Sequence, residues 1–281
     1  MIVIADGGST KVDWIVLNAQ KEEVFSVQSL GLNPAVVSES ELQQRIADIS
    51  ELMAVSDQVT AIYFYGAGCG TPIPVQILKT MLQRFFKKAI ITVSEDMLGA
   101  VYAASGNKPA IVAILGTGSN SCFFDGKTLA TNTPSLGYAI MDEASGNYFG
   151  KLLLRDYFYQ TMPASIATKF EKTFNLDIDT VKFHLYRQEN PNRYLASFAR
   201  FMFDCKEEPY IQKMIHTGFQ TFFKYRILPF QQPTSTPIYF IGSIAFYFRK
   251  MLEAVAKQHQ LHITACIQRP IDHLVKYHQN H

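Results

Sequence analysis

The most constraining feature of this chain is a glycine-rich turn near its start. It separates an apolar run at 2–5 from a second apolar run at 14–17, an order that predicts a strand, a tight turn and an antiparallel strand. The turn contains Asp6, Gly7, Gly8, Ser9 and Thr10. Glycines let a ligand approach the backbone closely, turn amides and hydroxyls can hold phosphate oxygens, and the acid can hold a hydrated Mg²⁺. The segment is therefore typical of a phosphate-binding hairpin, and equally of an ordinary glycine-rich turn.

A second stretch of the same kind lies farther along the chain. A predicted strand at 111–115 and a return strand at 121–124 flank another polar turn. Its residues are Gly116, Thr117, Gly118, Ser119 and Asn120. Neither turn is a Walker-type P-loop, because the glycine and lysine pattern is absent and a strand follows where a P-loop has a helix. Two hairpins that hold phosphate from opposite sides indicate two similar half-domains facing a nucleotide.

The composition excludes several function classes. The net charge is +2 without a basic or acidic block, which argues against a dedicated nucleic-acid surface. No apolar run of about 18 residues could span a membrane, and the start of the chain lacks the basic segment of a signal peptide. The four cysteines are scattered without CxxC spacing, so we expect reduced, packed thiols in a cytoplasmic protein. They are Cys69, Cys122, Cys205 and Cys266.

The order of the predicted elements indicates α/β domains. In the first half, strands are predicted at 2–5, 14–17, 23–29, 61–65 and 90–93, and helices at 40–53, 74–88 and 96–104. A linker at 105–109 follows. The second half repeats the hairpin, becomes mainly helical from 144 to about 228, and ends with strands at 238–241 and 262–265 and helices at 243–259 and 271–278. We therefore predict one domain at 1–106 and a second, with a helical insertion, at 107–281.

Several segments, taken in order, resemble the motifs of one superfamily. They are 6–11, 95–100, 116–120, Gly137, 142–146 and 238–243. The two hairpins resemble the phosphate loops of the sugar kinase/heat-shock chaperone/actin superfamily. The ordered set is most similar to the BadF/BadG/BcrA/BcrD ATPase family, and within it to N-acetylglucosamine kinases. The resemblance spans nearly the whole chain.

The resemblance implies an α/β fold of two ribonuclease-H-like (actin-like ATPase) domains around a nucleotide-binding cleft, which closes on its substrates. It also implies ATP, with Mg²⁺ at Asp6. The residues implied for ATP are Asp6, Gly7, Gly8, Ser9, Thr10, Lys11, Gly116, Thr117 and Gly118, with Gly242 and Ser243 near the adenosine. Ser243 replaces the second glycine of the family's adenosine motif, and we expect that it could cap the helix it opens.

Asp96 is the predicted catalytic base. It follows the predicted strand at 90–93 and opens a helix, where free amides and the helix dipole favour an acid. The sequence alone therefore leaves a plain helix cap open. The family pattern of an acid followed by Gly99 and Ala100 implies that Asp96, and not the adjacent Glu95, accepts the proton of the sugar hydroxyl that attacks the γ-phosphate.

The resemblance also implies which residues contact the sugar. They are Asn33, Asp96, Ser119, Asn120, Gly137 and Asp142. Asn33 precedes a proline and is also typical of a turn, and Asp142 could simply supply charge at a helix N-terminus. The family's Gly-Asp-Glu-Gly-Ser-Gly is Met-Asp-Glu-Ala-Ser-Gly in this chain. With the glycines at 141 and 144 lost, we expect the backbone there to be less able to adopt positive φ.

The activity implied by the resemblance is transfer of phosphate from ATP to an amino sugar, most simply N-acetylglucosamine at its 6-hydroxyl. N-acetylmuramic acid, glucosamine and glucose stay open as substrates. An ATPase activator of a reductive dehydratase would need cysteines around a shared iron–sulfur cluster, and no spacing supports Cys122 and Cys205 in that role. A non-catalytic sugar or nucleotide sensor would usually carry a further segment, for which we find no spare length.

Two other sequence patterns, a glycine-rich stretch and a set of aromatic residues, each allow two interpretations. The glycine-rich stretch 66–70 could be a third phosphate loop or a turn that ends a strand. The dense aromatic residues between 157 and 230 have helical spacing, which predicts either a helical core or a subunit contact compatible with a homodimer.

Overall fold

The protein, described by a computed structural model over residues 1–232 and 234–280, divides into two compact units. Unit 1 contains residues 1–107 and the C-terminal segment that begins at Arg269, and unit 2 contains residues 108–268. Each unit has one five-stranded sheet. This architecture confirms the predicted α/β class.

Unit 1 is built on a mixed sheet. Its strands are β1 (Ile2–Gly7), β2 (Lys11–Leu17), β3 (Glu23–Leu30), β4 (Ala61–Gly66) and β5 (Ile90–Glu95). They lie in the order β3-β2-β1-β4-β5, with an antiparallel meander from β1 to β3 and parallel pairing from β1 through β4 to β5. The helices are α1 (Glu39–Ala47), α2 (Ser50–Ala54), α3 (Pro72–Phe85), α4 (Asp96–Ser105) and, from the end of the chain, α13 (Pro270–Asn280).

The two faces of this sheet bury different residues, because strand side chains alternate in direction. Val3, Ala5 and Trp14 pack in a cluster with residues of α1 and α3. Ile4 and Ile15 point the other way, into a cluster with residues of α4 and α13. The second face continues to Asp6, whose direct partner across the hairpin is Asp13. Two carboxylates therefore end an otherwise apolar stripe.

Unit 2 repeats the strand pattern of unit 1. Its strands are β6 (Ala110–Leu115), β7 (Ser119–Phe124), β8 (Leu129–Ala130), β9 (Ile238–Ile241) and β10 (Ile263–Ile267), in the order β10-β9-β6-β7-β8. Here too the first three strands form an antiparallel meander, β9 pairs in parallel with β6, and β10 pairs in parallel with β9. The predicted similarity of the two halves is thus present in the topology.

The long insertion between β8 and β9 is helical, as predicted. It contains α5 (Gly146–Phe158), α6 (Ala164–Thr173), α7 (Ile178–Tyr186), α8 (Pro191–Phe198), α9 (Phe201–Asp204), α10 (Pro209–Phe222), a π-helical turn (Phe223–Ile227) and a 3-10 turn (Leu228–Phe230). The helices α11 (Ser243–Tyr247) and α12 (Arg249–Gln258) lie between β9 and β10. Phe149, Phe219 and Phe240 are fully buried in one cluster, so the aromatic spacing builds a core.

Two predicted helices are broken. The pattern at 40–53 forms α1 and α2, which are separated at Asp48 and Ile49, and the pattern at 243–259 forms α11 and α12, which are separated at Phe248. Ile49 and Phe248 are both buried. Helical spacing of the apolar residues continues across each break, so periodicity alone does not reveal it.

The predicted assignment of 107–281 to the second domain differs from the structure at its end. Helix α13 packs in unit 1, where Ile271, Leu274 and Val275 join the cluster of Ile4 and Ile15. The physical reason is the second apolar face of the first sheet, which these side chains help to cover. Within the described residues, no helix is long and apolar enough to cross a membrane.

Candidate active site

The first hairpin joins β1 to β2 in unit 1. The amide of Gly8 donates to the carbonyl of Lys11 at 2.9 Å and closes the turn. Gly7 is buried, and a Cβ there would lie 2.6 Å from the ring of Phe64, so this glycine is required by packing. Gly8 is exposed, and Ser9 and Thr10 are partly exposed. The amide and hydroxyl groups expected to hold phosphate therefore lie on the accessible side of the turn.

The pKa of Asp6, in this hairpin, is affected by two other carboxylates, those of Asp13 and Asp96. Burial, with a further contribution from the negative charges of Asp13 and Asp96, raises the pKa of Asp6 to about 7, and the charge of Lys11 opposes this shift. The ammonium of Lys11 lies 2.7 Å from Oδ2 of Asp13, and Gln28 donates to the other oxygen of Asp13. The sequence prediction missed Asp13, although a direct cross-strand position opposite Asp6 is a signal that a hairpin register can give.

Asp96 is the first residue of α4, and the residue before it, Glu95, takes the capping position without a side-chain hydrogen bond. The carboxylate of Asp96 accepts a hydrogen bond from the amide of Met97 at 2.9 Å. Burial raises the pKa of Glu95. Asp96 thus holds an amide of the first helical turn, and its charge also raises the pKa of Asp6 at the end of β1.

The glycine that follows Asp96 in the motif has a packing role. A Cβ on Gly99 would lie 2.6 Å from the Cβ of Tyr65 on β4. Only glycine permits this approach of helix to strand. The position of α4 on the sheet, and with it the position of Asp96 at the helix N-terminus, therefore depends on Gly99.

Asn33 is buried and is held by neighbours in unit 1. Its Oδ1 accepts from the amide of Ala35 at 2.9 Å, and its Nδ2 donates to Oγ of Ser9 at 3.1 Å. Gly68, with φ of +79°, packs directly against the Asn33 side chain. Asn33 thus has the turn role that the sequence left open, and it also links the turn to the first hairpin.

The stretch 66–70 lies beside that hairpin, since the amide of Ala67 donates to the carbonyl of Gly7 at 2.7 Å.

The second hairpin, in unit 2, is attached to the start of α5. The amide of Gly116 donates to the carbonyl of Gly118 at 3.0 Å and closes the turn. The first amides of α5 support it from behind: Gly146 donates to Gly116 at 2.8 Å and Asn147 to Thr117 at 3.0 Å. A Cβ on Gly116 would meet nothing within 4 Å, so the turn has free space on one side.

Ser119 and Asn120, predicted in the turn, are the first residues of β7. The Oδ1 of Asn120 accepts from the amide of Ser121 at 2.9 Å. The hydroxyl of Ser119 is buried and has no hydrogen-bond partner among the described residues. It is a polar atom of the hairpin whose capacity the surrounding protein does not use.

Asp142 is buried and its carboxylate supports the second hairpin. Its Oδ1 accepts from the amide of Ser119 at 3.2 Å, and its Oδ2 accepts from Nδ2 of Asn147 at 2.8 Å. Burial raises the pKa of Asp142, and these two hydrogen bonds lower it in part. The same Nδ2 of Asn147 reaches the carbonyl of Thr117 at 2.8 Å. Asn147, which the sequence prediction missed, is thus a central residue of the network.

The two lost glycines have not removed the left-handed backbone. Asp142 has φ of +69° and Ala144 has φ of +59°, and Gly137 earlier in the loop has φ of +74°. The expectation of a backbone less able to adopt positive φ is therefore wrong at Ala144, whereas Met141 does not have a positive φ. Buried neighbours hold Ala144 in a conformation that ordinarily costs an L-residue free energy.

Gly242 directly follows β9 and packs against the strand end that leads into the second hairpin. Its φ is +111°, and a Cβ there would lie 2.5 Å from the carbonyl oxygen of Leu115, directly before the second hairpin. Glycine is required on both grounds. Gly242 also takes the capping position of α11. Ser243 is exposed and follows it, so the expectation that Ser243 caps this helix is wrong.

The cysteines do not contribute a metal site. All four are buried and free of disulfides, and burial raises the pKa of Cys69 to about 12. Among residues 1–232 and 234–280, no group of three or more His, Cys, Asp or Glu side chains could hold a metal ion. A magnesium ion that arrives with a nucleotide needs only one or two carboxylates besides phosphates and waters, and Asp6 fits that requirement.

Comparison with solved structures defines the class of protein. A protein described as a "putative N-acetylglucosamine kinase" from Porphyromonas gingivalis is 33% identical, with a TM-score of 0.92, and the match covers 100% of this chain and 99% of that one. A second protein with that description, from Chromobacterium violaceum, is 15% identical with a TM-score of 0.75 and coverages of 98% and 98%. A ROK family glucokinase from Streptomyces griseus, in complex with glucose and AMPPNP, is 11% identical with a TM-score of 0.63 and coverages of 98% and 97%.

The fold is that of the sugar kinase/actin-like ATPase superfamily. Within it, the chain belongs to the same family as the Porphyromonas gingivalis protein, because the match at 33% identity spans all of this chain. No protein-family model and no curated protein matches the chain.

Proposed function

We propose that this protein is an ATP-dependent sugar kinase whose substrate is an amino sugar, with N-acetylglucosamine converted to its 6-phosphate. The family relationship supports sugar kinase activity. The finer placement in the BadF/BadG/BcrA/BcrD ATPase family is part of the proposal, and it is supported by the ordered motifs of the sequence.

The observation that carries the proposal is the placement of Asp96 beside Asp6. Asp6 lies at the end of β1 and Asp96 directly follows β5, and these strands run parallel with their ends in register through β4. The charge of Asp96 raises the pKa of Asp6, and Gly99 permits the close approach of α4 to β4. In the proposed reaction Asp96 orients the sugar hydroxyl and accepts its proton as the hydroxyl oxygen attacks the γ-phosphorus. The bond from this phosphorus to the β,γ-bridging oxygen breaks, and ADP is the leaving group. Positioning of this kind, together with charge neutralisation, accounts for most catalysis of phosphoryl transfer.

The nucleotide is assigned to the two glycine-rich hairpins. The hydroxyls of Thr10 and Thr117 and the turn amides are donors that suit phosphate oxygens. Mg²⁺ at Asp6, when bound, would neutralise charge on the transferred phosphate. Gly242 is proposed to lie near the adenosine, since it packs on the strand end that leads into the second hairpin.

The sugar is assigned to Asn33, Asp96, Ser119, Asn120, Gly137 and Asp142. The buried hydroxyl of Ser119, which has no partner in the described part of the chain, supports a role for β7 in this site. The internal hydrogen bonds of Asn33 and Asp142 indicate that both also hold their loops in shape. Their direct contact with a sugar stays a prediction.

The dehydratase-activator alternative is not favoured. Cys122 lies in β7 and Cys205 follows α9, and both are buried in unit 2. A cluster shared between subunits would need thiols at a surface.

The sensor alternative predicts sugar or nucleotide binding without turnover. The assay that identifies the sugar substrate also distinguishes a sensor from a kinase. A homodimer stays a prediction.

A coupled assay of ADP release over a panel of sugars tests the proposal. With Mg-ATP, we expect ADP release to require a sugar and to be fastest with N-acetylglucosamine, compared with N-acetylmuramic acid, glucosamine, N-acetylmannosamine and glucose. Faster turnover of another sugar in the panel would change the assigned substrate, and the assignment of the protein as a sugar kinase would stand. ADP release that no sugar stimulates would contradict the proposed function.

A further inference from the structure

Arg226 is a buried cation in the π-helical turn Phe223–Ile227 that follows α10. It is 3% exposed. A buried charge is costly unless it is paired and hydrogen-bonded. Single π-turns are uncommon and often occur at functional sites. The contacts of this side chain therefore indicate what it does.

The guanidinium of Arg226 contacts both ends of the loop 131–143. At the start of the loop, Nη1 donates to the carbonyl of Thr133 at 3.0 Å and to that of Pro134 at 3.5 Å. At the end of the loop, Nη2 lies 3.2 Å from Sδ of Met141, and Nε lies 3.6 Å from Oε2 of Glu143. One side chain thus links the two ends of the loop, and we call this set of contacts the clasp.

The loop held in this way is connected to the second hairpin. Glu143 is adjacent to Asp142, whose carboxylate bonds to the amide of Ser119 and to Asn147. A separate contact joins the π-turn itself to β7, because Oγ of Ser121 donates to the carbonyl of Arg226 at 2.8 Å. The clasp, the loop and the hairpin therefore form one hydrogen-bonded unit.

We propose that Arg226 is a positioning residue that sets sugar affinity by holding the loop 131–143 against the second hairpin. The inference rests on the proposed function, because that loop carries Gly137 and Asp142 and the hairpin carries Ser119. Arginine suits the role, since its planar fork presents several donors in fixed directions. Lysine keeps the charge beside Glu143 but offers a single compact ammonium that cannot reach both ends of the loop.

The test compares Arg226→Lys with a matched surface variant, Arg249→Lys. Arg249 also pairs with a glutamate, Glu253 at 2.7 Å, but it is half exposed and lies on α12 of the same unit. We expect Arg226→Lys to raise the sugar KM about tenfold or more, as for misplacement of a binding loop by roughly an ångström. The ATP KM should change much less, because Arg226→Lys leaves in place the hydrogen bonds that Asp142 makes to Ser119 of the second hairpin and to Asn147. Arg249→Lys should match wild type in both KM values. The variant Arg226→Met with Glu143→Gln, which removes the pair together, should show the same KM split.

Amide hydrogen exchange supplies a readout that does not depend on activity. Amides of residues 133–146 should exchange faster in Arg226→Lys than in wild type and in Arg249→Lys. If no sugar is a substrate, the proposed function fails while this measurement still tests the clasp. If wild type is active and Arg226→Lys keeps both the wild-type sugar KM and the wild-type exchange, the inference is overturned and the proposed function stands.

Discussion

At the scale of single residues, Asp142 differs most from its sequence-based interpretation. The motif implies a carboxylate that contacts sugar hydroxyls. In the structure both of its oxygens accept hydrogen bonds from within unit 2, one from the second hairpin and one from Asn147. Its side chain therefore supports the shape of the hairpin, whatever further contact it makes with a sugar.

Substitution of Asp142 tests this supporting role. Asp142→Ala removes the acceptor of the buried Ser119 amide and leaves Nδ2 of Asn147 with only the carbonyl of Thr117. The free energy of unfolding should therefore fall by about 1–3 kcal/mol. The KM values for sugar and for ATP should both rise, because the hairpin loses its support. Asp142→Asn keeps one acceptor oxygen and should lose less stability. Denaturant unfolding and steady-state kinetics measure these effects. Unchanged stability with a rise in sugar KM alone would instead indicate a direct sugar contact without a supporting role.

Two residues of the candidate site could not be predicted as readily as the motifs. Asp13 becomes informative only when the hairpin register places it opposite Asp6. Asn147 directly follows the matched segment 142–146, and its role depends on the tertiary approach of α5 to the second hairpin. The roles of Asp13 and Asn147 thus depend on strand register and tertiary packing, which the local sequence does not encode.

At the scale of elements, glycines fix how the site-bearing segments approach one another. Gly99 lets α4 lie against β4, and Gly242 lets β9 end against the start of the second hairpin. The strands and hairpins were predictable because alternation and turn residues are local signals. The breaks at Ile49 and Phe248 were not, because both residues keep the apolar spacing of the intact helix.

Helix α13 shows how tertiary packing assigns an element to a unit. Leu274 is fully buried against the first sheet, whereas Lys276 on the same helix is exposed. Leu274→Ala should lower the free energy of unfolding by about 2–5 kcal/mol, and Lys276→Ala should have little effect. Trp14 is the single tryptophan, is buried in unit 1, and provides the fluorescence signal for that unit. A wild-type unfolding midpoint for Trp14 in Leu274→Ala would contradict the packing of α13 in unit 1.

At the scale of the whole molecule, the sequence predicts two α/β halves of the same construction, and both sheets have that common topology. The boundary was harder to predict, because the chain returns to unit 1 after Gln268. The local sequence pattern of α13 does not indicate which sheet, that of unit 1 or that of unit 2, its apolar side chains cover. A contiguous division of the chain therefore assigns this helix to the wrong unit.

The central claim is that Asp96 removes a proton from a sugar hydroxyl during transfer of phosphate from ATP. The most direct measurement is the rate of sugar-phosphate formation by wild type, Asp96→Asn and Asp57→Asn, the last being a control on a highly exposed acid of unit 1. Asp96→Asn should remain folded and bind the sugar, and its turnover should fall by about two to four orders of magnitude. Asp57→Asn should match wild type. Turnover of Asp96→Asn within a few-fold of wild type would contradict the account.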